Sequence, residues 1–307
     1  MIYEHPLAYL LGLEGIALMR AFTGEHDREF VESRIAEIRD LLDDESLAGA
    51  AMEVDRVSSA EGYGAWAATY DAPGNAAFDI DGPLIREIVD ALPPGVAVDA
   101  ACGTGRVSAL LAERGHQVIG VDGSPEMLAR AVERVPSGRF SVGDLHRLPV
   151  GDNEADLVVC ALALTHVPAL DPVMAEFARV LRPGGHLVIS DVHPERVLRG
   201  SIPVVRGGDG RPGRLESYRH LVGDYLRAAL PVGLRLRRCE EPLPPAPPAA
   251  SSVAADAAPA GPKSTGPRSP GPWDLWPWSL LGLVPEAARA ANAGVPAILL
   301  WHFERES

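Results

Sequence analysis

Two periods of apolar residues divide this chain. Over 6–22 and 27–44, apolar positions recur every three or four residues. Leu7, Leu10, Leu11, Leu18 and Phe22 share one face, and Val31, Ile35, Ile38 and Leu42 share another. That spacing predicts two helices broken at Thr23-Gly24, a hairpin that packs on the main body or on a second subunit. Glu14 falls on the apolar face of the first helix, and a buried carboxylate calls for a cationic partner such as Arg20. From about 81 onward, helical stretches (82–92, 106–115, 124–135 and 172–181) alternate with short apolar runs. Those runs, near 96–100, 117–122, 139–144, 155–162 and 186–192, read as strands buried on both faces. Ser124 and Pro125 have the residue types of an N-cap and a first helical position. Alternation of this kind predicts a parallel sheet covered by helices on both sides.

Beyond 200 the pattern changes. Residues 214–231 have helical spacing, and 233–241 alternate between apolar and basic residues as a strand does. The stretch 242–272 is rich in Pro, Ala, Ser and Gly, carries too little apolar surface to fold by itself, and is expected to be a flexible loop. Trp273, Trp276 and Trp278 follow it, then a helix, then a last strand over 296–304.

Composition narrows the partners. The chain of 307 residues carries a formal charge of −14, which argues against a nucleic-acid backbone as its main ligand. Arg196, Arg199 and Arg206 could still form a local basic patch. Three cysteines are too few and too scattered for a disulfide framework or a zinc site, so no metal is expected and a reducing cytoplasm is the simplest setting. The apolar N-terminus lacks a basic flank and is interrupted by Glu14 and Arg20, so it does not read as a signal peptide. No run approaches the length of a membrane span.

Chemistry concentrates after the 96–100 strand, where Ala101, Gly103 and Gly105 alternate, two residues after Asp99. Small residues let a ligand approach the backbone, and the helix that follows presents free N–H groups. The dinucleotide fingerprint needs a third glycine three residues after the second, and Ser108 stands there. Taken alone, the turn does not say which ligand it serves.

The segment Asp99-Ala100-Ala101-Cys102-Gly103-Thr104-Gly105 resembles the first motif of the class I S-adenosylmethionine-dependent methyltransferases, with Ala101 in place of the usual first glycine. The resemblance continues for about 110 residues, through Asp122, Gly143-Asp144-Leu145, Asp156–Ala161 and Leu181-Arg182-Pro183-Gly184-Gly185. It implies a Rossmann-like α/β fold with a seven-stranded methyltransferase sheet, the last strand antiparallel, over about 80–307. A helical N-terminal cap would occupy 1–79. The cofactor would be S-adenosylmethionine and one product S-adenosylhomocysteine. Asp99 would hold the methionine ammonium, with the backbone of Ala101, Cys102 and Gly103 beside it. Asp122 and Gly123 would meet the ribose, and Met127, Gly143, Asp144 and Leu145 the adenine. Ala161 and Tyr70 complete the set.

Upstream, Gly62–Asp71 resembles the aromatic segment of small-molecule members, which implies Tyr63, Trp66 and Tyr70 near the acceptor. Trp273, Trp276 and Trp278, placed after the 242–272 loop between the last two strands, read as a lid over the substrate, with Trp276 in contact with it. Methyl transfer to an alcohol, acid or amine needs a base. His166 and His193 lie beyond strand ends, Asp191 is a further candidate, and Tyr70 could also take part. The expected partner is a small-molecule methyl acceptor of secondary metabolism. Competing readings are a non-catalytic protein of the same fold, serving dimerisation or sensing, and an NAD-dependent oxidoreductase. A polyamine synthase using a decarboxylated cofactor fits Asp99 less well.

Overall fold

The computed structural model describes residues 1–72, 75–201, 204–206, 212–243 and 278–307. Its N-terminal part runs β1 (Ile2–Glu4), α1 (Pro6–Ala21), α2 (Arg28–Asp43), α3 (Glu45–Ala48), β2 (Met52–Val57) and α4 (Ser59–Trp66). The central elements are α5 (Ala76–Asp90), β3 (Val96–Ala100), α6 (Arg106–Glu113), β4 (Gln117–Asp122), α7 (Pro125–Arg134) and β5 (Arg139–Val142). They continue as β6 (Ala155–Ala161), α8 (Leu170–Val180), β7 (Leu181–Val192) and α9 (Pro194–Leu198). Last come β8 (Val204–Arg206), β9 (Pro212–Leu215), α10 (Val222–Ala229), β10 (Leu234–Glu240), α11 (Pro285–Asn292) and β11 (Ile298–Arg305).

Seven strands form one sheet in the order β10-β11-β7-β6-β3-β4-β5. β11 is antiparallel to both neighbours, and the remaining pairs are parallel. Val98, Val158, Ile189 and Trp301 pack into one apolar cluster, whereas Ala97, Leu157, Val159, Val188 and Leu300 pack into another. Successive side chains thus feed opposite faces, which is why these strands read as continuous apolar runs. The Arg182–Gly185 segment is an excursion within β7: Ala155 pairs with Leu181, but Leu157 pairs with His186.

The N-terminal region holds strands as well as helices. β1 and β2 join β9 and β8 in a second sheet, ordered β1-β2-β9-β8, with β2 parallel to β9. The stretch expected to be helical over 214–231 is therefore divided. Residues up to Leu215 complete β9, and the α-helix starts only at Val222. Glu216 N–H instead donates to the Val57 carbonyl at 3.1 Å and Tyr218 N–H to the Thr165 carbonyl at 2.7 Å. The expected loop over 242–272 falls almost entirely outside the described residues.

The helical hairpin packs on this chain's own C-terminal region. Leu10, Leu13, Ala17, Leu41 and Leu47 form a separate apolar cluster with Leu280, Val284, Ala287 and Ala291. Its second helix is rotated from the apolar stripe read in the sequence, since Arg34 and Leu41 are buried while Ile35 and Leu42 are exposed. Phe22, just past α1, is exposed too. The rotation serves Glu14, whose partner is Arg34 at 3.5 Å and not Arg20, which pairs with Glu25 and the Ala293 carbonyl.

Arg34 also meets Glu37 at 2.5 Å and Glu286 at 2.8 Å, so three carboxylates share one guanidinium. Burial, with a side-chain hydrogen bond to Glu37, pushes Glu14 from 4.5 up to about 8. In the unfolded chain Glu14 releases its proton at the ordinary value, so the folded form binds the extra proton between the two values. Stability is expected to fall as pH rises from 4.5 towards about 8. Glu14→Gln should flatten that slope in thermal melts, and parallel wild-type and variant curves would refute the assignment.

Candidate active site

β3 sits at the point where strand order reverses, between β6 and β4, and in open α/β sheets that point carries the ligand crevice at the strands' carboxyl ends. Ala101, Gly103 and Gly105 have φ of 60°, 54° and 81°, so every second residue of the turn is left-handed. This explains the alternation of small residues in the sequence. Ala101 carries a side chain where glycine is favoured, at a cost of roughly 1–2 kcal/mol. The two glycines have different neighbours. A Cβ on Gly105 would lie 3.0 Å from Ala131 Cα in α7, whereas one on Gly103 would meet nothing within 4 Å. Gly105 allows close helix packing, and Gly103 faces open space into which a ligand can come.

Asp122, at the end of β4, accepts from Gly103 N–H at 2.8 Å and Ser124 N–H at 2.9 Å. Burial raises its pKa, partly offset by these backbone donors. Asp99, 1% exposed, accepts from the Ser108 hydroxyl at 2.6 Å, and burial lifts it to about 6. Gly143 N–H donates to the Asp122 carbonyl at 3.0 Å, which brings the end of β5 beside that of β4. Asp144 accepts from His146 N–H at 2.7 Å. Ser124 caps α7 by accepting from Met127 N–H at 3.2 Å, and the Met127 side chain is buried. Gly123 approaches α4, where its Cβ would lie 3.9 Å from Ala60. Leu145 and Ala161 border the apolar clusters of the two sheet faces. Across the crevice, Leu162 at the end of β6 is left-handed at φ 58°, and its N–H is held by the Ser190 carbonyl at 2.7 Å. Backbone strain thus stands on both walls of the crevice.

These features match known proteins. A family model described as a methyltransferase domain matches residues 98–189. An uncharacterized methyltransferase of Emericella nidulans is 31% identical over 226 residues, covering 60% of this chain and 78% of that one. The chain belongs to the class I S-adenosylmethionine-dependent methyltransferases. A demethylmenaquinone methyltransferase of Beutenbergia cavernae is 40% identical over 109 residues; the match spans 34% of this chain and 45% of that protein, less than half its length. A solved S-adenosylmethionine-dependent methyltransferase of Mesorhizobium loti shares the fold, with a TM-score of 0.50 and 23% identity over 75% of this chain and 99% of its own.

In this methyltransferase the segment before α5 lies against the glycine turn. Asp71 accepts from the Thr104 hydroxyl at 2.9 Å and from Arg134 at 2.7 Å. Arg106 forks onto buried Asp81 at 2.9 and 2.7 Å and stacks over Phe78, with its guanidinium carbon 4.3 Å from the ring centre. Neither ion pair was legible beforehand, because each joins residues at least 25 positions apart. Tyr70 makes edge contacts with Phe78 and Tyr63, and burial raises its phenol pKa. Trp66 joins the same group through an edge contact with Tyr63, ring centres 5.4 Å apart, and packs on Val205 and Leu215 of the second sheet.

The candidate bases separate. His193 caps α9, its Nδ1 accepting from Glu195 N–H at 3.2 Å, while Nε2 meets Glu241 at 2.9 Å. Both nitrogens are occupied by that work. Asp191 is buried and accepts from Thr165 at 2.8 Å, Tyr225 at 3.0 Å and Val192 N–H at 2.8 Å. His166 is joined to Tyr63, Nε2 to phenol oxygen, at 3.0 Å. Arg199 donates to the Ala291 carbonyl in the last turn of α11 and Arg196 to the Val295 and Pro296 carbonyls just beyond it, and the Arg206 side chain lies outside the described residues. So do Trp273, Trp276 and the Trp278 side chain, and with them the expected lid.

Proposed function

We propose that this methyltransferase moves a methyl group to a small-molecule acceptor of secondary metabolism, in the cytoplasm. The carrying observation is the roof of the crevice. Tyr63, Tyr70, Phe78 and His166 join in edge-to-face ring contacts above the glycine turn, a covering that suits a small organic acceptor. The relative named as a demethylmenaquinone methyltransferase supports the same class.

The donor set fits S-adenosylmethionine. Asp122 combines a carboxylate with a fixed orientation, as two ribose hydroxyls require, and Gly123 adjoins it. Asp99 would face the ammonium, directly or through water, beside the backbone of Ala101, Cys102 and Gly103. Met127, Gly143, Asp144 and Leu145 would border the adenine, with Ala161 and Tyr70 closing the methionine side. The bound cofactor supplies an electrophilic methyl on sulfonium. The protein's part is to align the acceptor with it and exclude water.

Calorimetry with S-adenosylmethionine and S-adenosylhomocysteine, followed by transfer of labelled methyl to a small-molecule fraction, tests this reading. Binding without transfer to any small molecule would refute it. A pH dependence follows from Asp99. An ammonium is held by the ionised carboxylate, which is lost as pH falls through about 6. Cofactor affinity should therefore be level at neutral pH and decline below about 6. Unchanged affinity across that window would remove Asp99 from the ammonium site.

A further inference from the structure

We propose that Tyr63 and His166 form a proton relay for the acceptor, which makes that acceptor a hydroxyl compound arriving unionised. The inference rests on the small-molecule reading above.

The placement comes from topology. α4 is seated at the end of β4, where a Cβ on Gly64 would lie 3.0 Å from Glu126 and 3.6 Å from Ser124. His166 closes a short 3₁₀ turn, Leu164–His166, just after β6. β3 runs between β6 and β4, so the 3.0 Å contact from Tyr63 to His166 spans the crevice above the glycine turn.

The tautomer follows from hydrogen-bond chemistry. His166 Nδ1 lies 2.7 Å from the Glu216 carbonyl oxygen, which only accepts. Nδ1 therefore carries the hydrogen, and the Nε2 lone pair accepts the Tyr63 O–H. The phenol oxygen keeps its own lone pairs for a hydroxyl placed against it.

The proton balance is complete. As the acceptor oxygen bonds to the methyl carbon, the carbon–sulfur bond breaks and its electron pair stays on sulfur. The acceptor's proton passes to the Tyr63 oxygen, and the Tyr63 proton passes to His166 Nε2. Burial lowers the His166 pKa and raises that of Tyr63 well above its usual value, so the resting pair is neutral imidazole and neutral phenol. Asp191 and Asp122 face Tyr63, and their negative charge disfavours a standing phenolate, while Tyr70 lies beside it as a neutral phenol. Asp191 also faces His166 and favours the imidazolium formed in transfer. Thr165, next to His166 in sequence, fixes Asp191 by its hydroxyl. Tyr63 is the catalytic residue in contact with the acceptor, and His166 acts through it.

A contact that merely pinned α4 would affect every acceptor alike, and two probes separate the cases. Labelled methyl transfer is followed to 4-methoxyphenol, a neutral hydroxyl, and to 4-nitrothiophenol, already a thiolate at neutral pH. Tyr63→Phe and His166→Asn should each lower kcat on the phenol by about 100-fold or more, the scale of general-base catalysis, with little change in KM. Transfer to the thiolate should stay near the wild-type rate. Nitrogen NMR of Tyr63→Phe should still show His166 with its hydrogen on Nδ1, which confirms that the variant is folded. Equal losses on both probes, or none on the phenol, would overturn the relay. A wild-type enzyme that binds cofactor yet methylates only the thiolate, or neither probe, would overturn the hydroxyl acceptor. Absence of cofactor binding by the wild type would instead fault the underlying assignment.

Discussion

Asp122→Ala is expected to abolish measurable binding of S-adenosylmethionine while leaving a folded protein. The carboxylate orders the glycine turn through Gly103 N–H and holds the start of α7 through Ser124 N–H. Hydrogen bonds to a charged group contribute about 1.5–3 kcal/mol each. Replacing the carboxylate with a methyl group leaves two backbone donors without their acceptor and removes the proposed anchor of both ribose hydroxyls. The combined loss should exceed about 100-fold in affinity, roughly 3 kcal/mol. Asp122→Asn retains one acceptor oxygen but turns an amide N–H₂ towards one of the two backbone N–H groups, so it should also bind poorly. Calorimetry on both variants decides the matter. Affinity within a few-fold of wild type would show that the ribose is held elsewhere.

Gly105→Ala should chiefly harm folding. At φ 81° a side chain is strained, and the added carbon would lie 3.0 Å from Ala131 Cα, a backbone atom of α7 that cannot rotate aside. Left-handed strain of roughly 1–2 kcal/mol and overpacking of about 1–3 kcal/mol act together, so the loss should be about 2–5 kcal/mol. Gly103→Ala supplies the contrast. It meets the same left-handed strain at φ 54°, but its carbon enters open space. That variant should melt within a few degrees of wild type and yet lose cofactor affinity, since the methyl occupies the side from which a ligand approaches. Equal thermal losses in the two variants would contradict the division of labour between these glycines. The protein already tolerates one such strain at Ala101, where φ is 60°.

The parallel strands were legible because burial on both faces leaves an almost unbroken apolar run, as in Val96–Ala100 and Ala155–Ala161. The glycine turn was legible because left-handed backbone at alternate positions admits few residue types. Asp122, Asp99 and His166 stood out because each polar residue lies at or just beyond the end of such a run. These are local constraints, and a linear pattern records them.

What the sequence by itself determined, then, is the sheet, the turn and the family resemblance. Tertiary structure decided which surfaces meet. Residues 214–221 have helical spacing, but pairing with β2 and the loop after β6 satisfies their backbone more fully, and part of the stretch became strand. The apolar stripe of α2 was overruled by Glu14, since a buried carboxylate needs Arg34 more than Ile35 or Leu42 needs cover. His166 and His193 are alike in sequence, each just past a strand. Only the fold placed Glu241 on His193, and Tyr63, from 103 residues earlier, on His166. Hydrogen bonds between distant residues depend on the mutual placement of separately formed elements, which no local pattern encodes.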